Sequence, residues 1–288
     1  MDIGIGLPST IPGIPGKLIP EWARAAEQAG FSSLGTLDRV VYGNLETVPV
    51  LAAAAAVTER IGLTTAILIG PYRGNGALLA KQLATVDKIA EGRLRVGISV
   101  GGRADDFEAT GSSFSERGRN FDAQLTEMRA VWGQQPRGFA GPIGPAPARA
   151  GGPPLLIGGN AAAAFRRMTE FGAGWISGGG GPGAFAAGAD KAKRAWREAG
   201  RDGQPRLAAL AYVSLGDDAE GHARRYLGDY YSFLGDFAER IAASALTTPQ
   251  KVAGAVTAFS DSGCDELILF PCNPEATQVS LTAAAAGL

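Results

Sequence analysis

The chain has few of the residues on which enzymes commonly build nucleophilic, acid–base or metal chemistry. Its 288 residues include one histidine, His222, and two cysteines, Cys264 and Cys272. One histidine and two distant cysteines cannot form a usual zinc site, and they argue against Ser-His-Asp or Cys-His catalysis. His222 follows a polar stretch at residues 217–220 and is predicted to be a solvated surface residue. The cysteines bracket a predicted strand and lie about 25 Å apart, beyond disulfide reach, so both are expected to be reduced. No acidic cluster suggests a magnesium site, and no metal is predicted.

Net charge and long apolar runs are also lacking. The formal net charge is -1, which gives no electrostatic reason to expect nucleic acid or an anionic membrane as a partner. Apolar stretches such as residues 48–57 are too short to span a bilayer. The first residues carry neither the basic region nor the long apolar core of a signal peptide. We therefore expect a cytoplasmic protein.

The most informative pattern present is an alternation, repeated eight times, of a short apolar run, a turn and a helical stretch. The runs are near-continuously apolar, as expected of parallel strands buried on both faces. The predicted strands are 3–7, 33–37, 61–69, 94–100, 154–158, 174–177, 207–215 and 266–270. The predicted helices are 17–29, 47–59, 76–91, 114–133, 160–171, 183–199, 217–243, 249–262 and 274–286. This order predicts an α/β fold, a (β/α)8 TIM barrel formed by residues 1–288 as a single domain.

Two segments depart from the alternation. Residues 135–153 are rich in proline and glycine and are predicted to form a surface crossing between the fourth helix and the fifth strand. Residues 216–247 form a long helical excursion after strand seven, in which Tyr226, Tyr230, Phe233 and Phe237 have the spacing of one helical stripe. Core packing is the expected role of this stripe, with a subunit interface or a lid over an apolar substrate as alternatives.

The carboxyl ends of the first four strands carry several groups that suit a ligand site, because barrel enzymes place their active sites there. Asp38 and Arg39 follow the second strand, and Asp38 could instead stabilise a loop or pair with Arg39. Tyr72 lies in the loop after the third strand. The fourth strand ends in Ser99, followed by Gly101 and Arg103, which suit close approach of a ligand and neutralisation of an anion. A solvated turn is the alternative for this glycine-rich loop.

The fifth and sixth strands end in glycines at the start of a helix. Gly158, Gly159 and Asn160 would expose N–H groups to an anion, with Asn160 suited to cap the helix. Ser177 and Gly178 begin a run of glycines that matches G-x-G-x-x-G. A Rossmann site is not indicated, because the acidic residue about twenty positions later lies near the end of a helix, not at the end of a second strand.

Several motifs in their order and spacing resemble the luciferase-like family of flavin-dependent oxidoreductases. They are Trp22–Phe31, Lys81–Asp87 followed by Glu91–Gly97, Glu116–Asp122, and the Gly158–Asn160 turn. The resemblance implies a site for FMN, or for the deazaflavin coenzyme F-420, at the strand ends. The ring would lie near Ala66 and Ile67, where relatives have a non-proline cis peptide bond. The phosphate would lie near Gly158, Gly159 and Asn160, beside Ser177 and Gly178, and Ser99, Gly101 and Arg103 would line the cofactor.

The resemblance also implies roles for the polar residues. Asp38 would lie close to the ring edge and is the expected catalytic group, together with Arg39, which stands where many relatives have histidine. Tyr72, Arg39 and Arg103 would orient the substrate. A histidine acid or base directly after Asp38 is excluded.

The expected function is a luciferase-like monooxygenase that uses reduced FMN and oxygen on a small organic substrate, because the cofactor carries the chemistry. Hydride transfer with coenzyme F-420 is the alternative within the family, and a non-catalytic flavin-binding protein is the alternative from another class. A cofactor-free barrel hydrolase or lyase is disfavoured by the lack of histidine and of an acidic cluster. A flavin reductase and a homodimeric assembly are the expected partners.

Overall fold

Eight parallel strands close into a barrel in the computed structural model, which describes residues 1–288. Each strand pairs with its neighbour in the chain, and the last pairs with the first. The strands are β1 Asp2–Gly6, β2 Ser33–Thr36, β3 Gly62–Ile69, β4 Leu94–Ser99, β5 Leu155–Gly158, β6 Gly174–Ser177, β7 Arg206–Val213 and β8 Glu266–Pro271. All eight lie within two residues of their predicted bounds, and the TIM-barrel prediction is confirmed.

The helices surround the barrel. They are α1 Leu18–Gln28, α2 Thr47–Ala55, α3 Gly76–Ile89, α4 Ala104–Ala109, α5 Arg117–Trp132, α6 Ala162–Phe171, α7 Gly181–Glu198, α8 Ala219–Tyr230, α9 Phe237–Ala243, α10 Pro249–Asp261 and α11 Thr277–Ala286. Helix α4 was not predicted. Residues 135–153 contain only one short 3₁₀ helix, Gly138–Ala140, as the composition predicted. No helix has both the length and the apolar character needed to cross a membrane.

The predicted stripe of four aromatic residues on one helix is wrong. Helix α8 ends at Tyr230, and a 3₁₀ turn at Ser232–Leu234 and Gly235, with a φ of 54°, separate it from α9. Tyr226 and Tyr230 are each 6% exposed, whereas Phe233 is 45% exposed and Phe237 48%. Core packing is therefore the fate of the first two residues only.

Side chains of each strand alternate between the helix layer and the barrel interior. Leu34 of β2 belongs to the apolar core between barrel and helices, whereas Leu37 belongs to a second cluster inside the barrel. The N-terminal end of the interior is closed by polar groups: Glu266 is fully buried and bonds Arg95 at 2.9 Å and Ser33 at 2.7 Å. Ligands can therefore approach the interior only from the C-terminal end.

Phe270 fills part of the interior near the C-terminal end. Its ring lies against Gly6 and Gly35, where a Cβ atom would come within 2.3 Å and 2.8 Å of ring carbons. Glycine at these two positions of β1 and β2 thus makes room for a phenylalanine from β8. Phe270 thus fills the interior of the barrel at the ends of β1 and β2, and the ends of β3 to β6 remain as the place for a ligand inside the mouth.

Candidate functional site

The end of β3 turns two consecutive side chains toward the barrel interior. Thr65 pairs with Val96 but Leu68 pairs with Ile98, so β3 has one extra residue at this point. Such a bulge redirects the side chains that follow it. Ala66 lies in the interior cluster and Ile67 packs against that cluster, half-buried. The peptide bond between Ala66 and Ile67 is cis, as the family resemblance predicted.

Ile67 lies at the centre of a shallow surface that we call the glycine floor, formed by Ile67, Ser99, Gly158 and Gly178. A Cβ atom on Gly158 would lie 2.8 Å from Cδ1 of Ile67 and 3.2 Å from Cβ of Ser99. A Cβ atom on Gly178 would lie 3.7 Å from the same Ile67 atom. The structure thus brings together residues from four adjacent strands. Because Gly158 and Gly178 have no side chains, Ile67 can lie against their backbones, and a flat ligand could approach the same backbones closely.

The start of α6 presents free donors beside this floor. None of the N–H groups of residues 159–163 finds an acceptor in the protein, and all five residues are exposed. Unpaired N–H groups at a helix N-terminus favour an anion. Asn160 does not cap the helix as predicted, because α6 begins one residue later than that role requires, with Ala161 at the N-cap. The donor set fits a phosphate group.

The remaining predicted cofactor residues have protein partners of their own. Ser177 Oγ donates to the carbonyl of Gly179 at 3.1 Å, and Ser99 Oγ accepts from the N–H of Gly101 at 3.3 Å. Gly101 has a φ of 76°, and a Cβ there would lie 2.6 Å from Ile69. Gly101 therefore serves the packing of the loop after β4, and its contact with a cofactor stays a prediction.

Asp38 points away from the barrel interior, because Leu37 before it points inward. Its carboxylate, 1% exposed, accepts from the N–H of Ile69 at 2.8 Å, from Thr47 Oγ1 at 3.2 Å and from Arg73 Nη2 at 2.8 Å. The alternative that Asp38 pairs with Arg39 is wrong; its partner is Arg73, which sequence reasoning missed. Asp38 thus ties the ends of β2 and β3 together behind the floor.

Arg39 is held by backbone carbonyls. It is 8% exposed and donates to the carbonyl of Tyr230 at 3.0 Å and to that of Val41 at 2.8 Å. Its guanidinium carbon lies 4.4 Å from the centre of the Tyr42 ring. Burial and the nearby Arg103 guanidinium lower the pKa of Arg39. Through these contacts Arg39 connects the loop after β2 to the end of α8.

Tyr72 borders a pocket on the outer side of the rim. The pocket has a volume of about 310 Å³ and is lined by Arg39, Val40, Asn44, Glu46, Tyr72, Arg73 and Thr110. Tyr72 is 4% exposed, and burial and the Asp38 carboxylate raise the pKa of its hydroxyl. The structure thus brings Tyr72 and Arg39 to one pocket, separate from the glycine floor.

A row of contacts crosses the mouth of the barrel from β7 to the loop after β4. Tyr212 of β7 and Tyr231 share a hydrogen bond of 2.6 Å between their hydroxyls. The rings of Tyr231 and Phe233 lie 6.3 Å apart, and the guanidinium carbon of Arg103 lies 3.8 Å from the centre of the Phe233 ring. We call these four residues the aromatic wall. Only Arg103 was among the predicted site residues. Tyr212 lies on β7, whereas Tyr231 and Phe233 are brought here by the break after α8.

The aromatic wall divides the mouth into two halves. On one side lies α8, whose Tyr226 bonds Thr10 after β1 and whose Tyr230 ring meets Tyr42 after β2. On the other side lie the ends of β5 and β6 with Gly158 and Gly178, because these strands stand between β4 and β7 in the barrel. The filled half is thus separated from an open half that contains Gly158, Gly178 and the free N–H groups, and the side chain of Ile67 reaches into this open half toward both glycines.

The chain resembles known proteins in sequence. An uncharacterised protein of Mycobacterium tuberculosis is 30% identical over 207 residues, which cover 62% of this chain and 71% of that protein. The FMNH2-dependent dimethylsulfone monooxygenase of Pseudomonas fluorescens is 35% identical over 127 residues, which cover 41% of this chain and 34% of that enzyme.

The fold has close structural counterparts. The structure of an F-420-dependent secondary alcohol dehydrogenase, in complex with an F-420–acetone adduct, matches with a TM-score of 0.80 over 99% of both chains at 19% identity. That level of identity shows a shared fold. A family model described as luciferase-like monooxygenase matches residues 1–279. Since this match covers nearly the whole sequence, the chain belongs to the luciferase-like monooxygenase family.

Proposed function

We propose that the protein is a flavin-dependent oxidoreductase that holds FMN in the open half of the mouth and acts as a monooxygenase on a small organic substrate. The observation that carries this proposal is the row of free N–H groups at residues 159–163 beside the glycine floor. These donors would hold the phosphate, and Ile67, Gly158 and Gly178 would lie against the ring. The family membership supports the same reading.

The bound flavin would supply the redox chemistry. The protein's own residues would bind and orient, because none of the groups on the floor is a free acid or base. Asp38 is engaged with Ile69, Thr47 and Arg73, and we assign it the positioning of β3. Arg39 would fix α8 over the filled half through the carbonyl of Tyr230. A flavin reductase would deliver reduced FMN, and a homodimer stays a prediction.

Coenzyme F-420 is the second candidate, because the F-420-dependent dehydrogenase shares the fold over 99% of both chains. The free N–H groups suit the phosphate of either cofactor. A direct test is titration of the purified protein with FMN and with F-420, read by absorbance and fluorescence. Tight binding of F-420 alone would replace monooxygenation by hydride transfer, and binding without any turnover over a broad substrate panel would favour a flavin-binding protein.

The phosphate assignment has a sharper test at Ala162. This residue is the first of α6, and the N-cap Ala161 before it has φ -78° and ψ 153°, which suit a residue preceding proline. Proline at the first helical position is well tolerated. Ala162→Pro therefore removes one free N–H while α6 is kept. Loss of one charge-assisted hydrogen bond should weaken FMN binding about 10-fold.

Riboflavin, which has the ring but no phosphate, provides the control ligand. Its affinity should be the same for wild type and Ala162→Pro. Gly254→Ala, at an exposed position of α10 where a Cβ atom meets nothing within 4 Å, is the control variant and should bind both ligands like wild type. Equal losses for FMN and riboflavin in Ala162→Pro would contradict the placement of the phosphate.

A further inference from the structure

The aromatic wall faces the space in which the proposed function places the flavin. Tyr231 is half-buried and Phe233 is 45% exposed, so both rings have surface that is not covered by protein. Ile67 of the floor and Tyr231 of the wall pack against the same interior cluster. A substrate lying on a flavin in the open half would therefore have the wall at its side.

The wall offers no free positive charge. Arg103 Nη2 lies 3.1 Å from Asp105 and Nε lies 3.6 Å from Asp106, so two carboxylates neutralise this guanidinium. Its Nη1 donates to the carbonyl of Tyr230 at 3.3 Å, and Phe233 covers its face. An anionic substrate would lose its hydration here without gaining a counter-ion, so it should bind more weakly than an uncharged substrate of the same shape.

The wall does offer one unused hydrogen-bond donor. Tyr212 and Tyr231 together have two hydroxyl hydrogens, and their mutual hydrogen bond uses one of them. No other protein atom accepts a hydrogen bond from either hydroxyl. Burial raises the pKa of both phenols, so both remain protonated near neutral pH. The second hydrogen is therefore available to an acceptor on a ligand.

We propose that the hydroxyl pair of Tyr212 and Tyr231 is a substrate-positioning element that donates one hydrogen bond to an oxygen of an uncharged, mainly apolar substrate. The inference rests on the proposed flavin site, because the flavin would form the opposite surface of the chamber. Tyr231, the more exposed of the two, donates its hydrogen to the substrate oxygen. Tyr212 donates its own hydrogen to the Tyr231 hydroxyl oxygen and so fixes the direction of the Tyr231 O–H group. The substrate class is that of small ketones, ethers and related neutral oxygen compounds.

The test is a binding experiment on the protein loaded with oxidised FMN, or with F-420 if only that cofactor binds. Three probes of similar shape are titrated by calorimetry: cyclohexanone, methylenecyclohexane, which lacks the oxygen, and cyclohexanecarboxylate, which is charged. We expect cyclohexanone to bind more tightly than either of the others. Loss of the hydrogen bond in Tyr231→Phe should weaken cyclohexanone about 5- to 10-fold and leave methylenecyclohexane unchanged.

Two further variants keep the test decisive. Tyr212→Phe combined with Tyr231→Phe should abolish the preference for cyclohexanone over methylenecyclohexane. Tyr226→Phe is the matched control, because the Tyr226 hydroxyl bonds Thr10 in the filled half, and it should bind all three probes like wild type. Cofactor affinity, measured separately by absorbance, and thermal melting show whether each variant is intact.

Three outcomes would overturn the proposal. Tighter binding of cyclohexanecarboxylate than of cyclohexanone would show a charged substrate class. An unchanged cyclohexanone affinity in the doubly substituted protein would show that the hydroxyls do not contact the ligand. If the doubly substituted protein bound FMN more weakly but bound cyclohexanone as wild type does, the acceptor oxygen would belong to the flavin ring. Failure of the proposed function itself is distinguishable, because the wild-type protein would then bind no flavin.

Discussion

The ion pair between Asp38 and Arg73 can be broken from either side, and the two breaks should differ in cost. Arg73→Met removes the cation and leaves the Asp38 carboxylate, 1% exposed, with only the N–H of Ile69 and the hydroxyl of Thr47 as donors. Breaking a buried pair from one side costs about 3–5 kcal/mol, and the two remaining donors favour the lower end, about 3 kcal/mol.

The converse variant should be milder. In Asp38→Asn, Arg73 keeps the carboxylate of Glu46 at 2.6 Å, so its charge remains paired. We expect a loss of about 1–2 kcal/mol in the free energy of unfolding. In the double variant no unpaired buried charge is left behind, because Glu46, which also loses Arg73, is 47% exposed. The total loss should therefore be smaller than the sum of the two single losses by about 2 kcal/mol.

The assay is urea-induced unfolding of the four proteins at pH 7, with FMN affinity measured on the same samples. Because Asp38 holds the N–H of Ile69 just behind the floor, the single variants should also bind FMN more weakly. A coupling energy below about 0.5 kcal/mol would refute the view that the pair acts as a structural unit. Unchanged stability together with lost turnover in Asp38→Asn would instead show that Asp38 acts on the ring or the substrate.

Two other predictions concern groups outside the site. Burial raises the pKa of Asp87, whose carboxylate accepts from the N–H of Ala148 at 2.8 Å. A folded-state pKa above the unfolded value means that stability is lost as pH rises from about 4 through that pKa. The free energy of unfolding of wild type should therefore fall relative to Asp87→Asn over this range, and a parallel pH profile of the two would contradict it. Burial also raises the pKa of Cys264, to about 12, and that of Cys272. Neither thiol should react with a thiol-specific disulfide reagent at pH 8 until the protein unfolds, and fast labelling of the native protein would contradict this.

The barrel was predictable from the sequence because its signals are local and repeated. Each strand is an apolar run that ends at a turn residue, and the glycines at 158 and 178 lie at strand ends, where a barrel must place its ligands. The break in the aromatic stripe was harder to predict. Tyr226 to Phe237 keeps helical spacing, and a single glycine, Gly235, with positive φ, helps to divert the chain.

The partners within the site were not predictable, because they are set by contacts between distant residues. Asp38 meets Arg73 across 35 positions of sequence, while the adjacent Arg39 is drawn to the carbonyl of Tyr230, 191 positions away. Asp38 and Arg39 have different partners because side chains alternate along a strand, so that two neighbouring residues at its end point to opposite sides. The hydroxyl pair of Tyr212 and Tyr231 likewise arises only when the segment after α8 folds back over β7.

The two sides of the aromatic wall differ in how far amino-acid substitutions are limited by packing. Phe270, Gly6 and Gly35 fit one another inside the barrel, and a change in one demands a change in the others. Phe233 and its exposed neighbours at residues 232–236 belong to a surface connection that carries no strand. New side chains there would reshape the chamber while the barrel keeps its packing, so this short connection is where a lineage of such proteins can acquire new substrates at little risk to its fold.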